Sequence, residues 1–318
     1  MKTRLTERLG LDHPIIQAPM AFAAGGRLAR AVAEAGGLGL IGGGYGDIAW
    51  IDDQFSLAGE AGIGCGLITW KIMEHLHVLT QVLDHKPTAI FLSFGDPTPL
   101  AAEIKSANAT LICQVQTFRD ACRAMDTGAD VIVAQGSEAE GHGQSRGTIT
   151  LVPEVADELA KRNNPALLCA AGGIVDGRGL AAALTLGADG VVIGTLFWTS
   201  TEALVHHRIR DNALSSTGDN TVRTKVVDIV RGYQWPVRHT GRVLHNHFVN
   251  RWHGCETDLK NDIEATSMTW TDAQQAGGPN VIAAFIGEGV GMLDQPAGAA
   301  ETLKSIVDQA TATLSRVS

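Results

Sequence analysis

Residues 187–195 read GADGVVIGT, and 59 residues earlier residues 128–136 read GADVIVAQG. In each, a glycine ends one element, a small residue and an acid follow, and an apolar run begins, which suits a tight turn from a helix into a buried strand. Working outward from these two copies, short apolar runs alternate with helix-period segments from residue 12 to 199. Eight runs read as strands: Ile15 to Gln17, Leu38 to Ile41, Ile63 to Leu67, Ala89 to Phe94, Thr110 to Val115, Val131 to Ala134, Ala166 to Ala170 and Val191 to Ile193. Amphipathic segments lie between them, among them Arg27 to Ala35, Ile72 to Asp84, Phe118 to Thr127, Leu151 to Arg162 and Gly179 to Leu186. Eight strand–helix units favour an α/β fold of the (β/α)8 TIM-barrel type over an open doubly wound sheet.

The rhythm stops after Thr201. Residues 201–279 then read as a mainly helical insertion after strand eight, on the substrate side, and residues 1–200 with 280–318 as the barrel, closed by a helix from Ala297 to Leu314. The insertion differs in charge: between His206 and Lys260 stand nine Lys or Arg, five acids and six of the chain's eleven histidines. A local cationic surface of this kind is a reason to expect an anionic ligand. The chain as a whole carries a net charge of -9, which argues against nucleic acid or anionic membrane as partners. No apolar run reaches membrane-spanning length and the first ten residues lack an apolar core, so a soluble cytoplasmic protein is expected. Five scattered cysteines, mostly in apolar runs, fit reduced buried thiols.

Glycine, at 37 of 318 residues, is in excess, and its placement separates three features. Gly37-Leu38-Gly39-Leu40-Ile41-Gly42 has GxGxxG spacing, but its glycines interrupt a strand instead of leading from one into a helix, so tight packing is the preferred reading over a dinucleotide site. Ala170-Ala171-Gly172-Gly173-Ile174 and Val192-Ile193-Gly194-Thr195 end the seventh and eighth strands with backbone free of bulk, where barrels of this type often hold a phosphate. The turn after strand six, Gln135-Gly136-Ser137-Glu138-Ala139-Glu140-Gly141-His142-Gly143, carries a histidine between glycines at the rim, a candidate proton acceptor or oxyanion donor near neutral pH. Glu138 and Glu140 are candidates to orient it. The first strand ends Gln17-Ala18-Pro19-Met20, which could present backbone and a thioether to a flat aromatic ligand. His206, His207, His245, His247, His253 and Cys255 complete no recognised metal spacing, and no metal is expected.

Taken in order, QAPM, EAGGLGLIGGG, FLSFG, QGSEAEGHG, AAGGI and GVVIGT resemble the nitronate monooxygenases, formerly called 2-nitropropane dioxygenases, over nearly the whole chain. The resemblance implies an FMN-dependent barrel that oxidises alkyl nitronates, and also nitroalkanes, with O2 to carbonyl compounds and nitrite. It implies that Ala18, Pro19 and Met20 line the isoalloxazine, that Gln135 and Gly136 neighbour it, and that Ala171, Gly172, Gly173, Gly194 and Thr195 hold the phosphate. Thr69 and Gln116 fall where members also contact the flavin, and His142 falls on the active-site histidine. The chain departs from the family at Glu140, where the usual EAGGH pattern has glycine, and at Leu67-Ile68-Thr69-Trp70, which lacks an asparagine some members use. Both departures bear on substrate preference. The partners implied are a small anionic nitronate and O2, with a homo-oligomer open. Two alternatives stand beside this: a flavin-dependent enoyl-acyl carrier protein reductase on the same barrel, and a flavin-binding module without turnover.

Overall fold

The computed structural model describes residues 1–317 of the 318-residue chain. Its strands are β1 Ile15–Gln17, β2 Leu40–Gly44, β3 Gly64–Ile68, β4 Ala89–Ser93, β5 Thr110–Val115, β6 Val131–Gln135, β7 Gly141–Gly143, β8 Leu167–Ala171, β9 Gly190–Ile193, β10 Thr221–Thr224 and β11 Thr240–Leu244. Eight of them form one parallel sheet in the order β1-β9-β8-β6-β5-β4-β3-β2. A parallel bridge from Ile16 to Leu38, with Gln17 N donating to Leu38 O at 2.9 Å, joins the two edges and closes a (β/α)8 barrel.

The interior is filled by Ile16, Leu38, Leu40, Phe91, Ile112, Val131, Val133, Leu167, Cys169 and Val192. Leu5, from the short helix Arg4–Leu9, joins this cluster and is fully buried. A second, larger apolar layer lies between the strands and the outer helices, as alternation of strand side chains between two covered faces requires.

Strand boundaries agree with the sequence reading to within three residues, the largest shift being in the second strand. There, a Cβ at Gly39 would collide with the backbone of Ala29, and one at Gly42 with Met20 O. The register slips between Ile41 and Gly44. The glycines of the GxGxxG run thus let a helix and the QAPM turn pack directly on the strand backbone. The helix expected over residues 72–84 is two pieces, Thr69–Ile72 and His77–Asp84. The closing helix is Ala299–Val317, and a Cβ at Gly177 would strike its Ala310 N.

Beyond residue 201 the chain is helical except for the hairpin β10–β11, whose second strand pairs antiparallel with β7. This region has its own apolar cluster, built on Val226, Val230, Val243, Phe248, Trp252, Leu259 and Trp270. No helix among the described residues is long and apolar enough to cross a membrane. All five cysteines are free; Cys65, Cys113 and Cys169 are buried, whereas Cys255 is exposed.

Candidate active site

At the C-terminal ends of the barrel strands lies a cavity of about 890 Å3. Among the residues singled out in the sequence, it is lined by Ala18, Pro19 and Met20 after β1, Gln135 at the end of β6, Glu140 and His142, Ala171, Gly172 and Gly173 at and after the end of β8, and Gly194 and Thr195 after β9. Gly172 and Gly173 have φ of 105° and 73°, values at which an L side chain is strained. Two aromatic residues on the wall, Phe22 and Phe94, also take left-handed backbone, at φ 65° and 63°, a form of strain that clusters at functional sites.

Three predicted residues stand behind this wall. Gln116 is buried and donates through Nε2 to Gln135 Oε1 at 2.8 Å, so it fixes the amide that faces the cavity. Gln135 in turn donates to the carbonyl of His142 at 3.2 Å. Gly136 is covered by Thr148 and Glu138, which a Cβ would strike. Thr69 is buried with no partner for its Oγ1.

His142 is itself buried, at 8% exposure, because the loop that carries it is built into the second sheet. It pairs across to Gly241 of β11. The carbonyls of this loop are held by two arginines from the hairpin: Arg223 Nη1 and Arg242 Nε donate to Ser137 O at 3.1 and 3.0 Å. Burial pulls Arg223 down to about 10, still well above neutral pH. The carboxylate that orients the imidazole is neither Glu138 nor Glu140. Glu138 caps the helix Thr148–Lys161, accepting from Thr148 N at 3.0 Å and from its Oγ1 at 3.0 Å. Glu140 accepts from Thr195 Oγ1 at 2.8 Å. The orienting group is Asp228, from the helix Val226–Val230, whose two oxygens lie 3.0 and 2.9 Å from His142 Nε2.

Desolvation dominates this imidazole and pulls its pKa below the usual value, against the opposing pull of Asp228. The ring is therefore neutral near pH 7. With Asp228 accepting from Nε2–H, the lone pair is on Nδ1. Trp235 lies flat on the same ring, centroids 3.4 Å apart and planes 4° apart.

A second histidine missed by the sequence reading, His239, is fully buried beside Phe94 and Trp235. Its Nε2 accepts from Arg238 Nε at 3.2 Å, and burial pulls its pKa down to about 4. Across the cavity mouth, Arg231 sets its guanidinium 4.7 Å from the Tyr233 ring centre, 5.3 Å from Phe22 and 6.0 Å from both Tyr45 and Phe285. Among the described residues no carboxylate forms an ion pair with it. Tyr45 and Tyr233 stack at 3.9 Å. Asp228, Arg231, Tyr233, Trp235 and His239 all come from a region without hydrophobic period. Its excess of cationic residues was the signal available in the sequence. No group of three or more His, Cys, Asp or Glu among the described residues could hold a metal.

The family model for nitronate monooxygenase matches residues 2–57 and 66–309. The chain is 36% identical to the nitronate monooxygenase npaC of Metarhizium robertsii, over 95% of this chain and 92% of that one. It is 34% identical to a nitronate monooxygenase of Neurospora crassa over 73% of each. Among solved structures, FabK from Thermotoga maritima superposes with TM-score 0.86 at 28% identity, covering all of this chain and 98% of that one. A nitroalkane oxidase from Streptomyces ansochromogenes gives 0.83 at 22% identity, 99% of each chain being covered, which speaks for the fold. A barrel whose rim gathers a buried histidine, a glycine cradle and a cation over one cavity, matched along nearly its full length, belongs to the nitronate monooxygenase family of flavin-dependent oxidoreductases.

Proposed function

We infer that this chain oxidises alkyl nitronates with O2 on FMN, giving carbonyl compounds and nitrite, and that it accepts nitroalkanes by deprotonating them first. The observation that carries the reading is the neutral, buried His142, tied by Asp228 through one nitrogen and facing the cavity, with the cation Arg231 lining the same cavity. A base that is uncharged at neutral pH can take a proton from carbon, and a cation nearby stabilises the anion produced.

The rim fits a flavin mononucleotide on three counts. Gly172 and Gly173 bare their backbone where a phosphate would lie. A Cβ at Gly194 would collide with a carboxylate already seated there, so the cradle takes an anion. The Thr69 hydroxyl is buried without a partner. Ala18, Pro19, Met20 and Gln135 would flank the ring system, and Gly172, Gly173, Gly194 and Thr195 would hold the phosphate. Bound there, the flavin supplies the redox chemistry that no side chain can.

The protein's part is positioning and proton movement. Arg231 and the aromatic wall hold the nitronate with its charge countered in a partly dehydrated space. For a nitroalkane, the Cα proton passes to His142 Nδ1, and the imidazolium formed is paired with Asp228. Two nitronates and one O2 then give two carbonyl compounds and two nitrite ions, each carbon–nitrogen bond being replaced by a bond to one oxygen atom of O2.

Likeness to FabK keeps an NAD(P)H-dependent enoyl reductase as the second reading. Anaerobic mixing separates the two. Rapid bleaching of the bound flavin by a nitronate, with slow reduction by NADH or NADPH, is expected. Bleaching by NAD(P)H with turnover of an enoyl thioester, and none by a nitronate, would establish the second. Purified protein that takes up no flavin would refute both.

A further inference from the structure

The Glu140 carboxylate reaches across the rim to the end of β9. Oε2 accepts from Thr195 Oγ1 at 2.8 Å, and that hydroxyl accepts from Gly287 N at 2.9 Å. Oε1 fills the space a Cβ at Gly194 would need. Gly194, Thr195 and Glu140 line the same cavity as Gly172 and Gly173. We propose that Glu140 is an internal anion that competes with the cofactor phosphate for this cradle, so that the cofactor loads only after the side chain has swung away from Thr195. The proposal rests on the flavin reading above and concerns how that site is filled.

Two arguments make the occupancies exclusive. A threonine hydroxyl has a single proton to donate, and here it goes to Glu140, so the same hydroxyl cannot donate to a phosphate oxygen. A phosphate monoester carries about 1.5 to 2 negative charges at neutral pH, and bringing it beside a carboxylate in a partly dehydrated cradle is strongly unfavourable. With glycine at position 140 the cradle would be open. With glutamate, apparent affinity for the cofactor is reduced by the fraction of molecules in which the side chain has moved out. Gly141, which follows, is paired with Arg242 of β11, so it is the Glu140 side chain that must rotate out of the cradle. The seated carboxylate also bonds the end of β9 to the histidine loop, and through Thr195 to Gly287.

The test is flavin binding by cofactor-stripped wild-type protein, Glu140→Gly and Glu140→Gln, read by quenching of flavin fluorescence, with riboflavin as the ligand lacking phosphate. Both variants are expected to bind FMN about tenfold tighter than wild type, and riboflavin with unchanged affinity. The melting temperature of stripped Glu140→Gly should fall while its rise on adding FMN grows. Glu140→Gln keeps the volume of the side chain and covers the case in which the glycine variant is poorly folded. Equal or weaker FMN binding by both variants would overturn the proposal and leave the flavin reading standing, as would riboflavin gaining as much as FMN. If no form bound either flavin, the flavin reading would fall and the proposal with it.

Discussion

His142 Nε2 lies within hydrogen-bond reach of both carboxylate oxygens of Asp228, 86 residues further along the chain, at 3.0 and 2.9 Å. The pair leaves Nδ1 as the base, so the two residues have separable roles. His142→Asn should abolish turnover of neutral nitroalkanes while a nitronate supplied as the anion is still oxidised at a reduced rate. Asp228→Asn should cost about 10² to 10³ in kcat/KM for nitroalkanes, because the wrong tautomer is held toward the substrate. It should also displace the pH profile, which a merely structural role would not do. Steady-state rates on the two substrate forms across pH decide this, and equal losses on both forms would remove proton abstraction from His142.

Arg231 makes its own prediction, because it is ringed by aromatic faces and has no carboxylate paired with it among the described residues. Arg231→Met keeps much of the apolar stem and deletes the charge. KM for nitronates should rise about 10- to 100-fold, the worth of one charged hydrogen bond, with kcat changed far less. Arg231→Lys should recover part of the loss. A fall in kcat with KM unchanged would place Arg231 outside ground-state binding.

Which of these residues the sequence disclosed follows from how each is positioned. His142 could be found because glycines bracket it in a loop next to a strongly patterned strand. The cradle could be found because Gly172, Gly173 and Gly194 follow strands whose apolar runs are unmistakable. Asp228, Arg231, Trp235 and His239 come from a region whose fold depends on packing between distant elements. A short-range pattern therefore carries no trace of Asp228 meeting His142. The same limit explains Glu138 and Glu140: proximity in sequence made them candidates to orient the ring, but backbone direction sends one to a helix N-terminus and the other to Thr195. Gln116, expected from the resemblance to contact the flavin, does not line the cavity and reaches it only through Gln135.

Acid stability should report the buried imidazoles. His239 has a pKa near 4 in the folded chain against 6.5 when exposed, and His142 is lowered as well. Between those values the unfolded chain binds more protons than the folded one, so stability rises with pH there and is lost as pH falls from about 6.5 toward 4. For His239 alone the loss approaches ~3 kcal/mol at the acid end. Urea melts at pH 7.5 and pH 4.5 should show this difference, and His239→Gln should shrink it. An unchanged difference in the variant would assign the acid loss to other groups.

The run from Gly37 to Gly42 imitates a nucleotide motif in spacing, and the geometry gives it a different task that can be measured. A Cβ at Gly39 would overlap the carbonyl of Ala29, in the helix Gly26–Glu34 that packs on this strand. Both partners are backbone, so neither can yield by rotating a side chain, and strand and helix must separate. Gly39→Ala should therefore cost about 1 to 3 kcal/mol or more, the price of overpacking a filled core. Gly62, just before β3, is the control: its Cβ would meet only a Thr88 methyl at 3.5 Å, and its φ is not in the left-handed region. Gly62→Ala should be neutral or stabilise by about 0.4 to 1 kcal/mol through the unfolded chain. Chemical denaturation of the two variants against wild type distinguishes packing from ligand binding. Close packing predicts the loss in protein stripped of cofactor, with flavin affinity of the folded fraction retained. A stripped Gly39→Ala as stable as Gly62→Ala, but defective in cofactor binding, would return these glycines to a ligand site.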